Sequence, residues 1–222
     1  MFSNGSPGSK PTVIIRGITS YTGNDPLVIV DGINQSLDDM NSLEPSDIES
    51  ISVLKDASTT ALYGVKGGNG VIVITTKNGA RNQEAKFTFN TSYGQQSPEK
   101  TIGVLNASEY AAILNEMSLT SGGGLIYSDI SNLGYGTDWQ KEIFRTDAPI
   151  ITNNISVSGG TNNSSYFLSA GFTEQEGIIY GGDKQHFDRA TFRANFDTDL
   201  SSKLNMKISN RYTNIKDSGL GD

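Results

Sequence analysis

The hydrophobic rhythm of the chain changes about a third of the way along. In the first part, apolar residues come in three short β-branched runs, Leu27–Val30, Ile51–Leu54 and Val71–Ile74. Each has strand length, and turn residues separate them: Asp31-Gly32, a polar loop with Pro45, and a glycine-rich tract ending in Asn69-Gly70. A further strand is expected at Thr12–Arg16, closed by Gly17. Ser46 is placed to cap a turn at Asp47–Glu49, and Ser50–Lys55 alternates as a half-buried strand does. Asp56 or Ser58 can cap a brief helix over Ala57–Tyr63, ended by Gly64.

From Lys86 onward the period becomes two. Phe87, Phe89, Thr91 and Tyr93 alternate with Thr88, Asn90 and Ser92. Ile155 and Val157 alternate with Asn154, Ser156 and Ser158; Tyr166, Leu168, Ala170 and Phe172 alternate with Phe167, Ser169, Gly171 and Thr173. Ala190, Phe192, Ala194 and Phe196 alternate with Arg189, Thr191, Arg193 and Asn195; Leu204, Met206, Ile208 and Tyr212 alternate with Asn205, Lys207, Ser209 and Arg211. Five strands of about ten residues, with charges on one face only, match a transmembrane β-barrel. Their connections run long (Gln96–Pro149), short (Gly159–Asn163), long (Glu174–Gln185) and short (Thr198–Ser202), as barrel loops do. The first long connection is expected to hold a helix capped by Asn106 and Glu109, with an apolar stripe of Tyr110, Ile113, Leu114 and Met117 before Gly122-Gly123-Gly124.

Composition narrows the function. The 222 residues carry a net charge of −7, which argues against a nucleic-acid partner because no basic patch stands out to neutralise phosphates. There is no cysteine and a single histidine, His186, which is read as a loop residue rather than a metal ligand. No apolar run approaches the roughly 18 residues of a spanning helix, a test that barrel strands escape. Residues 1–5 show neither a basic start nor an apolar core, so the chain is expected to have lost a leader or to belong to a longer one.

Several motifs stand in order: Ile15-Arg16-Gly17, Pro26–Gly32 (PLVIVDG), Asp47–Ile51 (DIESI), Val53–Ser58 (VLKDAS), Leu62-Tyr63-Gly64 and Asn69–Lys77 (NGVIVITTK). Gly136–Gln140 (GTDWQ), Ile143-Phe144-Arg145 and Asn154–Gly160 (NISVSGG) follow. At this spacing they resemble the SusC/RagA type of TonB-dependent outer-membrane transporter. The resemblance implies an α+β plug domain over residues 1–80, then the first antiparallel strands of an incomplete transmembrane β-barrel over 81–222. It implies a non-enzymatic importer of oligosaccharides or peptides in a Gram-negative outer membrane, with a SusD-like lipoprotein as lid, TonB as energy source through a region absent here, and no cofactor. Five strands alone cannot close, and open edges do not sit in lipid. The alternatives are a non-transporting truncated product or soluble plug-like interaction module and, behind these, a secreted β-sandwich hydrolase or lectin.

Within the plug reading, Arg16, Glu49 and Lys55 are candidates for charges that lock the plug against the barrel wall; the other reading is ordinary surface charge. Gly17, Asp31, Gly32, Gly64, Asn69 and Gly70 are its structural turns, and Gly64–Gly70 lacks P-loop spacing. The acidic residues Asp31, Asp38, Asp39, Glu44, Asp47 and Glu49 lack calcium-loop spacing and are read as turn formers in solvated loops. Tyr135 and Trp139 either face a ligand from the first long connection or pack within it.

Overall fold

A computed structural model describes residues 7–8, 13–15, 17, 24–179 and 185–218. Its strands form two sheets. The first contains β1 (Leu27–Val30), β2 (Ile33–Gln35), β3 (Ile48–Leu54) and β4 (Val71–Thr76), in the order β2-β1-β4-β3. β1 and β4 run parallel, with Val28 opposite Ile72 and Val30 opposite Ile74. Central strands are covered on both faces, which is why these two read as unbroken apolar runs. Val28, Val30, Leu43, Ile72 and Ile74 form the core, with Leu37, Met40 and Ile48 packed on it.

Local chemistry explains the connections. Asp31 and Gly32 both take positive φ, 50° and 84°, as a two-residue type I′ hairpin requires. The turn therefore reverses the chain into β2, a strand too short and polar to stand out in sequence. Helix α1 (Leu37–Asn41) carries a capping box between Ser36 and Asp39. The next turn is a 3₁₀ helix starting at Pro45, without a cap from Ser46.

Two expectations change here. Residues 13–15 are not a strand, and the rest of Thr12–Arg16 lies outside the described residues. Helix α2 (Ala57–Thr60) runs on as a 3₁₀ turn and is ended, as expected, by Gly64, whose φ of 62° and ψ of −151° are non-helical; a second short helical turn then reaches Gly67. The β3 side chains Ile51 and Val53 are 57% and 52% exposed rather than half-buried, because β3 is a sheet edge and no described layer covers this face.

The second sheet is an antiparallel meander of β5 (Gln83–Gln96), β6 (Ala148–Gly160), β7 (Ser164–Glu176), β8 (His186–Ser201) and β9 (Leu204–Ser218), paired in sequence order. Its two short turns lie at 161–163 and 202–203, and the long connections at 97–147 and 177–185. Register aligns Phe89, Ile155, Ala170, Phe192 and Tyr212 in one cross-strand row, all exposed. The adjacent row is Thr88, Ser156, Ser169, Arg193 and Arg211, on the face that receives the small sheet. The sheet thus has one apolar face and one polar face, and the small sheet packs on the polar one.

The 97–147 connection holds helix α3 (Ala107–Thr120) and helix α4 (Trp139–Ile143). Asn106 and Glu109 form the expected capping box. The stripe differs from the expectation: Tyr110, Ile113 and Met117 are exposed, and the buried side is Ala111 and Asn115. Asn115 uses both ends of its amide, accepting from the Ile126 and Tyr127 N–H groups and donating to the Tyr127 carbonyl. The connection then docks on the other long loop, where the Arg145 N–H donates to the Ile178 carbonyl at 2.7 Å and Phe144 bridges Ile179.

Candidate functional site

The site is the seam between the small sheet and the polar face of the meander. Three acids of the small sheet meet it. Asp31, at the β1–β2 turn, accepts from the Thr76 N–H at 2.8 Å and the Thr76 hydroxyl at 2.6 Å, and is paired with Arg193 of β8 at 2.8 Å. Arg193 also donates to the Thr76 hydroxyl. Glu44, before the 3₁₀ turn, pairs with Arg189 at 2.9 Å, and Arg189 reaches the Asn41 and Leu43 carbonyls as well. Asp47, at the end of the same turn, accepts from the Ser169 hydroxyl of β7 at 2.8 Å. Arg211 donates to Gln35 Oε1, and Asn195 donates to the Lys77 carbonyl.

Burial makes these contacts consequential. Glu44 is 3% exposed, Asp47 4% and Arg193 3%. A charge moved out of water must be paired or hydrogen-bonded, and removing one partner of a buried pair typically costs about 3–5 kcal/mol. Burial works against the Asp31 charge, but bonds from Thr76 and Arg193 outweigh it and hold the carboxyl below its ordinary 3.8. At Asp47 burial prevails over Ser169, Arg193 and Lys77, so its carboxyl sits above 3.8. One Asp47 oxygen, Oδ1, is buried without a hydrogen bond. The same seam therefore holds one acid kept charged and one whose charge is disfavoured.

The expected placements fare differently. Glu44 and Asp47 are not turn formers in solvated loops; they are among the most buried polar residues described, because the meander covers them. Arg16 lies outside the described residues, and Glu49 and Lys55 are exposed. The ion pairs formed at the seam join acids of the small sheet to arginines of the meander. The wall arginines were visible as inward positions of the period-two pattern; what sequence did not reveal was their pairing with specific acids. Gly17, Gly32, Gly64 and Gly70 all have positive φ, and the Asn69 amide donates to the Asp25 carbonyl at 3.4 Å. Tyr135 and Trp139 are 86% and 68% exposed, which places neither in a packed interior. His186 is the first residue of β8, not a loop residue.

The entry of the chain into the meander is equally constrained. Asn82 N–H donates to the Thr161 carbonyl at the short-turn end, and Arg81 forms ion pairs with Asp197 and Asp199. A Cβ on Gly79 would lie 2.1 Å from the Tyr166 carbonyl oxygen, so the segment joining the two sheets passes too close to the wall for any other residue. The small sheet is thereby tethered at the short-turn end and held across the polar face by the seam.

An α+β sheet held by ion pairs against the polar face of an up-and-down antiparallel sheet, whose other face is apolar, defines the plug and wall of a TonB-dependent receptor. The TonB-dependent receptor plug domain family matches residues 1–71. The chain is 34% identical over 98% of its length to TonB-dependent receptor SusC of Bacteroides thetaiotaomicron, covering 22% of that protein. It is 35% identical over 93% of its length to TonB-dependent receptor P3 of Formosa agariphila, covering 19% of it. The structure of the RagAB peptide importer in its closed-closed state superposes with a TM-score of 0.80 at 28% identity, over 97% of this chain and 27% of that one. The chain is the plug and opening barrel region of a SusC/RagA-type TonB-dependent receptor, and it spans about a fifth of the length of the curated relatives it matches.

Proposed function

We propose that this region is the gate of an outer-membrane importer of oligosaccharides or peptides. The plug closes the lumen, the apolar face of β5–β9 meets lipid, and a SusD-like surface lipoprotein lids the long-loop end. Uptake begins when force transmitted through TonB breaks the seam and lets the plug move off the wall. The family forms transporters, and the seam residues have structural partners rather than a substrate-facing acid–base arrangement. The carrying observation is the Asp31–Arg193 and Glu44–Arg189 pairing across two sheets. Hydrogen-bonded ion pairs are strong at rest yet reversible, because water can re-solvate both charges once they separate. The peptide side of the substrate choice is supported by likeness to RagAB, whose structure is that of a peptide importer. Glu49 and Lys55, exposed on and just beyond β3, and Arg16 extend the same lock to wall strands other than β5–β9. Tyr135 and Trp139 offer exposed aromatic faces to a ligand or to the lid.

A cross-link tests the gate. Cysteines replace Asp47 and Ser169 in the full-length protein and are bridged by a cleavable bifunctional thiol reagent. Uptake of labelled oligosaccharide or oligopeptide is expected to stop on bridging and to return on cleavage. Uninterrupted uptake in fully bridged protein rejects movement of the plug off this part of the wall.

A further inference from the structure

Three potential ligands converge away from the seam, on the opposite face of the meander. Glu174 near the end of β7, and His186 and Asp188 at the start of β8, bring one ligand atom each within 4.8 Å of the others. By strand alternation all three share the face of Phe172, Ala190 and Phe192, above the apolar rows and beside the long-loop end. Register places Glu174 directly opposite Asp188. Two carboxylates directly opposed on one face of an antiparallel pair repel each other, and a sheet gains nothing from the arrangement by itself.

The geometry at Asp188 sharpens this. Its Oδ1 is sealed from solvent and receives no hydrogen bond, although His186 Nε2 lies only 2.9 Å away. The two groups lie at ion-pair distance, so imidazole and carboxylate already face one another. Adjacent nitrogen and oxygen ligands of a tetrahedral zinc ion, each about 2.0–2.2 Å from the metal, are separated by roughly 3.3 Å. Apart from His186, the neighbouring positive groups do not offset the two carboxylates: Arg145 pairs with Glu176 and Asp147, and Lys216, opposite Asp188 on β9, is exposed and forms no described ion pair.

We propose that Glu174, His186 and Asp188 form a binding site for a divalent transition ion of the zinc class. The imidazole favours zinc, cobalt or nickel over calcium or magnesium, which prefer oxygen alone. Bound there, the ion would tie β7 to β8 immediately below the 177–185 loop. Arg145 and Phe144 anchor the 97–147 connection to that same loop, so the ion stiffens the point where the two long connections meet. The site stands on the outer face and is independent of the gating reading.

The test is a cobalt titration of the full-length protein, chelator-treated in detergent, followed by visible absorption and checked by zinc competition. Wild type is expected to bind one equivalent more than either His186→Gln or Glu174→Gln, with strand content unchanged by circular dichroism. Lys216→Gln, which removes only the neighbouring positive charge, is expected to keep that equivalent and bind it at least as tightly. Should H186Q fail to assemble, E174Q carries the same readout from an outward carboxylate. Identical cobalt titrations in wild type and E174Q overturn the proposal. Displacement of cobalt by millimolar calcium or magnesium as readily as by zinc overturns the imidazole assignment.

Discussion

Asp31 and Arg193 are 162 positions apart in sequence and joined at 2.8 Å, the acid at a plug hairpin tip and the arginine in a wall strand. Thr76 completes the contact by donating to Asp31 from both its N–H and its hydroxyl. The plug sheet thus pre-orients the carboxylate before the wall reaches it. The acid side of the contact is therefore organised by the small sheet alone, independently of the arginine.

Removing the arginine is expected to take away the cation beside Asp31, whose carboxylate stays partly open to water and keeps its two bonds from Thr76. Arg193→Ala in the full-length protein should weaken plug retention by about 1–3 kcal/mol, seen as a lower unfolding temperature and raised leak conductance in planar bilayers. Arg193→Ala combined with Asp31→Ala should cost less than the sum of the single changes, because each single change strands the partner's charge. Strict additivity would show that the pair does not act as a unit.

The two seam acids should impose opposite pH dependences. Asp31 is held below 3.8, so its contribution is complete above 3.8 and disappears as pH falls through its lower folded value. Asp47 is held above 3.8, so the folded state keeps its proton longer and stability falls as pH rises from 3.8 through the raised value. Asp47→Asn keeps an acceptor for Ser169 and removes the buried charge. Its melting temperature should be flatter with pH above 3.8 than that of wild type, and no lower at neutral pH. A variant that loses stability at neutral pH while keeping the wild-type slope would contradict this assignment.

Gly70 has φ +98°, and a Cβ there would approach Ile15 Cγ2 to 2.9 Å. Gly70→Ala should therefore destabilise the plug by about 1–2 kcal/mol from the backbone strain of positive φ, with the Ile15 clash adding to it. Gly103, with open space around its Cβ direction and no positive φ, is the control and should tolerate alanine within about 0.5 kcal/mol. Chemical denaturation of the two variants separates the outcomes.

The faces of the meander should respond oppositely to charge. Phe192→Arg places a cation on the apolar face and is expected to cost about 2–4 kcal/mol in bilayer stability if this row lies near the midplane. Ser156→Arg, one row over on the polar face, should cost much less. Refolding into lipid vesicles monitored by denaturant titration checks both, and equal penalties would contradict the lipid-facing assignment.

Much of this was legible in the chain because it is local. Alternation of Tyr166, Leu168, Ala170 and Phe172 with Ser169, Gly171 and Thr173 assigns both the strand and its faces, since successive side chains in a strand point to opposite sides. Asn106 and Glu109 announce a helix start because capping is a three-residue interaction. Asp31-Gly32 marks its turn because few other pairs accept two positive φ values. What sequence determined was therefore the elements, their faces and the family they resemble. The tertiary structure alone decided which charges meet. Glu44 and Asp47 read as solvated loop acids until the wall covers them, and His186 and Glu174 come together only when the register of β7 and β8 is set. Burial and pairing across long separations depend on the packed positions of both partners, and no local pattern encodes the distance between them.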